Sequence, residues 1–140
     1  MDKKIGLFWL RDDFRITKND GLIEATKNHD QVAVFYLYKE DNYKNQEAQK
    51  WWLSKSLSNF HKTLSGLNMS LEIIETNSFK LFFDKLTKRN DFEIYWNKVY
   101  EPDYLKFDEY LSKSLKNKNI SYKIFKGNAL NETDEVKKND

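Results

Sequence analysis

The chain has 140 residues, 39% of them hydrophobic and 16% aromatic, with four Gly and one Pro. A chain of this length buries roughly 68% of its unfolded surface, so one packed domain is expected, not a disordered or linker-rich array. Its 24 basic and 22 acidic residues leave a net charge of +2, too balanced for a nucleic-acid footprint, and the absence of cysteine excludes disulfides, thiol catalysis and Cys-ligated zinc.

The start, Met-Asp-Lys-Lys, leads into the apolar run Ile5–Leu10, too short for a signal peptide or a membrane span. A cytoplasmic domain without a membrane partner is expected. His29 and His61 lie far apart without a ligand-like spacing, so they read as ordinary surface histidines and no metal site is expected.

In chain order, short apolar runs alternate with helix-period segments. The runs are Ile5–Leu10, Val32–Leu37, Leu71–Ile74, Ile94–Trp96 and Tyr122–Phe125. Several are apolar on consecutive residues, the pattern of strands covered on both faces in a parallel sheet. Between them, Asp20–Asn28 predicts a short helix with a cap at Asp20. Glu47–Leu67 predicts a long one, with Leu53, Leu57, Phe60, Leu64 and Leu67 stepping by four and three. Ser78–Arg89 carries Phe79, Phe82, Phe83 and Leu86 on one face, and a last helix follows Pro102 with Tyr104, Phe107, Leu111 and Leu115 as its stripe. The expected fold is α/β: a doubly wound, Rossmann-like, five-stranded parallel sheet with helices on both faces and the first strand central. Residues 1–127 form the domain, and the polar stretch 128–140 reads as a tail or the start of a linker.

Such sheets bind ligands beyond the carboxyl ends of their strands, which here are Arg11–Arg15, Tyr38–Asn45, Glu75–Ser78, Asn97–Asp103 and Lys126–Asn128. Two of the chain's three arginines, Arg11 and Arg15, fall in the first of these, around Asp12 and Asp13. In a chain that otherwise supplies Lys, that clustering suggests a need for a flat bidentate fork. It reads either as a ligand or docking loop or as a salt-bridged turn, with Asn19 and Asp20 in the same turn and cap. A second constellation, Tyr95-Trp96-Asn97-Lys98-Val99-Tyr100-Glu101-Pro102, is a strand end running into the only proline, which fixes φ just before a helix. Packed aromatics at a strand-to-helix corner explain it as well as a ligand role does. The four glycines are too scattered for a phosphate-binding loop, and no nucleophile elbow or His-based triad is visible.

The first constellation, Trp9-Leu-Arg-Asp-Asp-Phe-Arg-Ile-Thr-Lys-Asn-Asp-Gly-Leu22, resembles the opening of the DNA photolyase/cryptochrome family through Trp9, Arg11, Asp13, Arg15 and Asn19. The second resembles that family's Y-W-N-x-x-Y-E-P element through Trp96, Asn97 and Pro102, with Asp108 where the next helix carries an acid. Trp52, Leu53, Ser56 and Leu57 resemble its F-L-x-x-S-L helix. The three blocks cover nearly the whole chain in the family's order.

The resemblance implies the amino-terminal, antenna-binding α/β domain of a deoxyribodipyrimidine photolyase, or of a cryptochrome light sensor, which this half does not distinguish. FAD and the surface that receives a pyrimidine dimer in DNA would belong to a helical partner domain. The chain's last residues, Lys137-Lys138-Asn139-Asp140, fall about where the segment leading to that domain would start, so a truncated or split-gene product is expected. It is expected to be non-catalytic by itself, with no catalytic residue.

An antenna chromophore of folate or deazaflavin type would sit near Tyr43, Glu101, Asp103 and Tyr104, but the family's anchors are missing. Folate binders carry Asn-Glu where this chain has Asp103-Tyr104, and a His near Tyr43. Deazaflavin binders carry an acid at the position of Val99 and Arg at those of Asp12 and Gln49. An unfamiliar antenna, or none, is therefore expected. A surface normally covered by the helical half is expected as an exposed aromatic patch, with Trp51, Tyr43 or Tyr104 contributing. A phospho-receiver domain would share the paired acids Asp12-Asp13 and a Lys such as Lys126, but Glu75-Thr76-Asn77 offers no phospho-accepting Asp.

Overall fold

Five parallel strands and four helices alternate along the chain in a computed structural model that describes residues 4–12, 14 and 18–126. They are β1 (Ile5–Leu10), α1 (Asp20–Asn28), β2 (Val32–Tyr38), α2 (Glu47–Gly66), β3 (Ser70–Glu75), α3 (Phe79–Leu86), β4 (Phe92–Asn97), α4 (Pro102–Asn117) and β5 (Tyr122–Phe125). A 3-10 turn, Glu40–Tyr43, lies between β2 and α2. The sheet order is β3-β2-β1-β4-β5, which places β1 at the centre and reverses the winding between β1 and β4.

The pleat sorts each strand's side chains between two cores. Phe8 and Leu10 of β1, Val34 and Tyr36 of β2 and Tyr95 of β4 face α1 and α2, where they meet Leu22, Ala25, Leu57, Phe60 and Leu64. The alternate residues Trp9, Phe35, Leu37, Ile94 and Trp96 face α3 and α4, against Phe83, Leu111 and Leu115. This two-sided cover is the physical reason for the continuous apolar runs: neither face of β1, β2 or β4 is open to water. Burying each of these large side chains contributes about 1.5–3 kcal/mol.

Helix boundaries follow side-chain chemistry. The cap of α1 is Asn19, whose side chain accepts from the Leu22 N–H, and Asp20 is the first helical residue. Ser78 caps α3 in the same way through the Leu81 N–H, so that helix starts at Phe79, one residue after the expected segment begins. At α4, Pro102 occupies the first turn, where its missing N–H costs nothing.

Candidate functional site

Three carboxyl-end loops converge beside the switch in strand order. Lys39 and Asn42 come from the end of β2, Asn77 and Ser78 from the end of β3, and Glu101, Asp103 and Tyr104 from the end of β4. With Phe79, Lys80 and Phe107 they line a cleft of about 540 Å³. Its aromatic wall is continuous: Phe79 lies 6.1 Å from Tyr104 and 5.7 Å from Phe107, and the Lys39 ammonium sits 4.3 Å from the Phe79 ring centre. Carboxylates on the α4 side face lysines on the β2 and α3 side, so the cleft is polar at both rims and aromatic between them.

Behind that wall is a buried charge pair. Arg11, just beyond β1, and Asp108 of α4 are 4% and 5% exposed, so both charges are removed from water and need each other. The guanidinium forks onto both carboxylate oxygens, Nη2 to Oδ1 and Nη1 to Oδ2 at 3.2 Å, and Nη1 also donates to the Asn97 carbonyl at 3.2 Å. Its carbon lies 4.1 Å from the Trp9 ring centre and 4.7 Å from that of Tyr104. Trp9 is buried among Phe79, Phe83, Trp96 and Phe107 and does not reach the cleft. The arginine thus joins β1, β4 and α4 and supports Tyr104 from behind. Burial pushes the Tyr104 phenol upward, the Arg11 charge opposing it, so the ring presents a neutral hydroxyl.

Asn97 ends β4 and fastens the neighbouring turn. Its Oδ1 accepts from the Gly21 N–H at 2.9 Å, and its Nδ2 donates to Asn19 Oδ1 at 2.7 Å. Thus Arg11, Asn19, Trp96, Asn97 and Asp108, read separately along the sequence, form one connected core with Trp9. All six are buried. Asp13 and Arg15 lie outside the described residues.

Of the four cleft candidates, Glu101, Asp103 and Tyr104 line the hollow and Tyr43 does not. Tyr43 stacks instead on Tyr38 with ring centres 5.4 Å apart, and its neighbour Asn42 takes the lining position. Lys39, Asn77, Phe79 and Lys80 were not singled out from the sequence as site residues, although all but Phe79 and Lys80 fall on the carboxyl-end loops. Trp51 and Trp52 stand on the outer face of α2, 58% and 66% exposed.

The surface reading of His29 is corrected by the structure: its side chain is 8% exposed and packed against Tyr95. Gly6 makes room for it, since a Cβ there would lie 2.8 Å from the imidazole. Among the described residues no group of three or more His, Cys, Asp or Glu side chains could hold a metal ion, and no helix is long and apolar enough to cross a membrane.

The profile of the DNA photolyase family matches residues 6–140. The chain belongs to this family. It is 24% identical over 126 residues to a deoxyribodipyrimidine photo-lyase of Agrobacterium fabrum, covering 90% of this chain and 26% of that protein. Cryptochrome-1 of Arabidopsis thaliana is 26% identical over 133 residues, 93% of this chain and 20% of that one. Among solved structures, a bacterial class III photolyase from Agrobacterium tumefaciens superposes with a TM-score of 0.75 at 21% identity, over 91% of this chain and 26% of that one. An archaeal photolyase from Sulfolobus tokodaii, solved with two FAD molecules, gives 0.74 at 22% identity, over 87% and 29%. The chain therefore spans between a fifth and about a quarter of the curated relatives it matches, and it has the photolyase α/β fold.

Proposed function

We propose that this chain is the amino-terminal α/β unit of a photolyase that repairs pyrimidine dimers in light, and that it works only with a helical FAD-binding domain. The observation that carries this reading is the family match across residues 6–140 against relatives roughly four times longer. Electron transfer to a flipped base requires a flavin beside that base. The family's flavin-binding and lesion-binding surfaces belong to the helical domain. Near-neutral charge supports a unit that does not hold DNA by itself, because such affinity comes mainly from phosphate neutralisation. The exposed Trp51 and Trp52, with the cleft rim around Tyr104, supply the aromatic surface such a domain would cover.

The cleft is the site for an antenna chromophore. A flat conjugated ligand fits a wall of Phe79, Tyr104 and Phe107, with Lys39, Asn42 and Asn77 on one rim and Glu101 and Asp103 on the other. Bound there, the chromophore would absorb light and pass the energy to the flavin. The departures at Asp12, Gln49, Val99, Asp103 and Tyr104 argue against the folate and deazaflavin anchor sets. The Sulfolobus protein, described as implying a novel light-harvesting cofactor with two FAD molecules bound, makes a flavin the first candidate.

The test is purified protein, with and without added FAD, illuminated with a dimer-containing oligonucleotide. No repair above the light-only control is expected from the chain alone, and repair is expected when a photolyase helical domain is supplied. Repair by the chain alone would defeat the reading of it as a dependent half.

A further inference from the structure

At the amino-terminal end of the sheet, opposite the cleft, lies a second polar cluster that the proposed function does not use. Glu93, Tyr95 and Asn97 share the α1 face of β4, and the row spans about 13 Å at strand rise. Helix α1 has nine residues and is also about 13 Å long. The row therefore reaches both ends of the helix: Asn97 holds its first turn, and Glu93 with Tyr95 holds the residues that close it, Asn28 and His29.

The donors and acceptors of the second contact can be counted. His29 Nδ1 lies 3.0 Å from the Lys4 carbonyl, which only accepts, so Nδ1 must carry a proton. His29 Nε2 lies 2.9 Å from Glu93 Oε1 and 3.1 Å from the Tyr95 hydroxyl. That hydroxyl has one proton, which it gives to Glu93 Oε1 at 2.6 Å, while it accepts from Asn28 Nδ2 at 3.1 Å. Ser121 donates to Glu93 Oε2 at 2.7 Å. A neutral imidazole would turn the Nε2 lone pair towards the carboxylate at hydrogen-bond distance. With a second ring proton every contact pairs a donor with an acceptor.

We propose that His29 is held as an imidazolium by Glu93, so that the His29–Glu93–Tyr95 cluster is a proton-dependent clamp fastening the end of α1 to β4.

Its position at the carboxyl end of α1 favours a cation, because the helix dipole is negative there. The groups around the ring are Glu24 and Lys27 on α1, Asp30 after it, and the Lys4 backbone before β1. On the sheet they are Glu93 and Tyr95 of β4, Ser121 before β5, and Lys123, in register with Tyr95. Glu93 is the carboxylate in hydrogen-bond contact with the ring. Burial pushes the Glu93 carboxyl up, but hydrogen bonds from Tyr95, Ser121 and His29, with the His29 charge, outweigh it and leave it below the usual range. Without the Nε2 proton the ring lone pair faces the Glu93 carboxylate, so the clamp holds only while that proton is in place.

The experiment is nitrogen-15 NMR of the labelled histidine rings in the 140-residue chain at about pH 7.5, above the ordinary imidazole value of about 6.5, with exposed His61 as the internal comparison. The proposal expects two protonated nitrogens on His29. It also expects the penalty of His29→Gln in the folding equilibrium to be at least tenfold larger at about pH 6 than at about pH 9. Glu93→Gln, which keeps the shape and removes the counter-charge, should return His29 to a single ring proton at pH values where the native ring holds two. A singly protonated His29 ring in the native chain at about pH 7.5 would overturn the proposal, as would a His29→Gln penalty equal at about pH 6 and about pH 9. If His29→Gln does not fold, the ring spectra of the native chain and of Glu93→Gln decide the question.

Discussion

Asn97 Nδ2 donates to Asn19 Oδ1 across 2.7 Å, so the last residue of β4 holds the cap of α1 although 78 positions separate them. Asn19 in turn caps the Leu22 N–H at 3.1 Å, and Asn97 takes the Gly21 N–H through its other side-chain atom. The amide at position 97 offers a donor and an acceptor on two separate atoms, and an ionised carboxylate offers acceptors alone. Asn97→Asp should therefore place a carboxylate oxygen against Asn19 Oδ1 and destabilise the fold by about 2 kcal/mol or more. Asn19→Asp keeps an acceptor for both the Leu22 N–H and Asn97 Nδ2, and should cost less than Asn97→Asp. Urea unfolding of the two variants checks the contrast, and equal effects would contradict it.

Breaking the Arg11–Asp108 pair from one side should be severe. Asp108→Ala removes the buried carboxylate onto which the guanidinium forks and should cost about 3–5 kcal/mol. The double change Arg11→Met with Asp108→Leu removes both charges and should cost much less than the sum of the single changes. A double-mutant cycle by chemical denaturation measures the difference.

Two glycines in helices should respond oppositely to alanine. Gly66 ends α2 with nothing within 4 Å of a built Cβ and no positive φ, so Gly66→Ala should stabilise by about 0.4–1 kcal/mol. At Gly21 a Cβ would lie 2.8 Å from both Asn97 Oδ1 and Phe8 Cε1. Overpacking there should cost about 1–3 kcal/mol, more than helix propensity returns. Thermal unfolding should rank Gly66→Ala above the native chain and Gly21→Ala below it.

Acid should weaken the fold in part through Glu93. Its folded carboxyl titrates below the ordinary value of 4.5, so its contribution is present above that pH and is lost as pH falls through the lower, folded value. Glu93→Gln should flatten the stability profile on the acid side, read as urea midpoints between about pH 5 and pH 3. An unchanged acid slope would remove Glu93 from the account.

In the cleft, Tyr104 should carry chromophore binding. Titration with FAD, FMN and a reduced folate, read by tryptophan and tyrosine quenching, should show binding for at least one. Tyr104→Ala should weaken that binding at least tenfold, about 1.4 kcal/mol, measured well below its unfolding midpoint, which should also fall because the ring packs on Phe79 and Arg11. Failure of all three probes to bind would remove the antenna assignment.

Local pattern alone determined the order of elements. Ile5–Leu10 is apolar at every position but Gly6, a run only a strand covered on both faces can bury, and it lies at the sheet's centre. The four-and-three spacing of Leu53, Leu57, Phe60 and Leu64 described α2, and Pro102 marked the start of α4. Motif resemblance marked Arg11, Asn97 and Asp108, but what each touches was decided in three dimensions. Arg11 lies beside two acids in sequence, yet it forks onto Asp108, 97 positions away, because α4 packs across the end of β1. Tyr43 and Asn42 are neighbours, and the 3-10 turn alone determined that Asn42 lines the cleft while Tyr43 stacks on Tyr38. His29 carried no signal of burial, because its partners come from β4, the approach to β5 and the residue before β1. Periodicity records which face of an element is buried, since solvent acts on every residue of that element alike. Polar pairing depends on which elements are adjacent, and only the folded sheet fixes that.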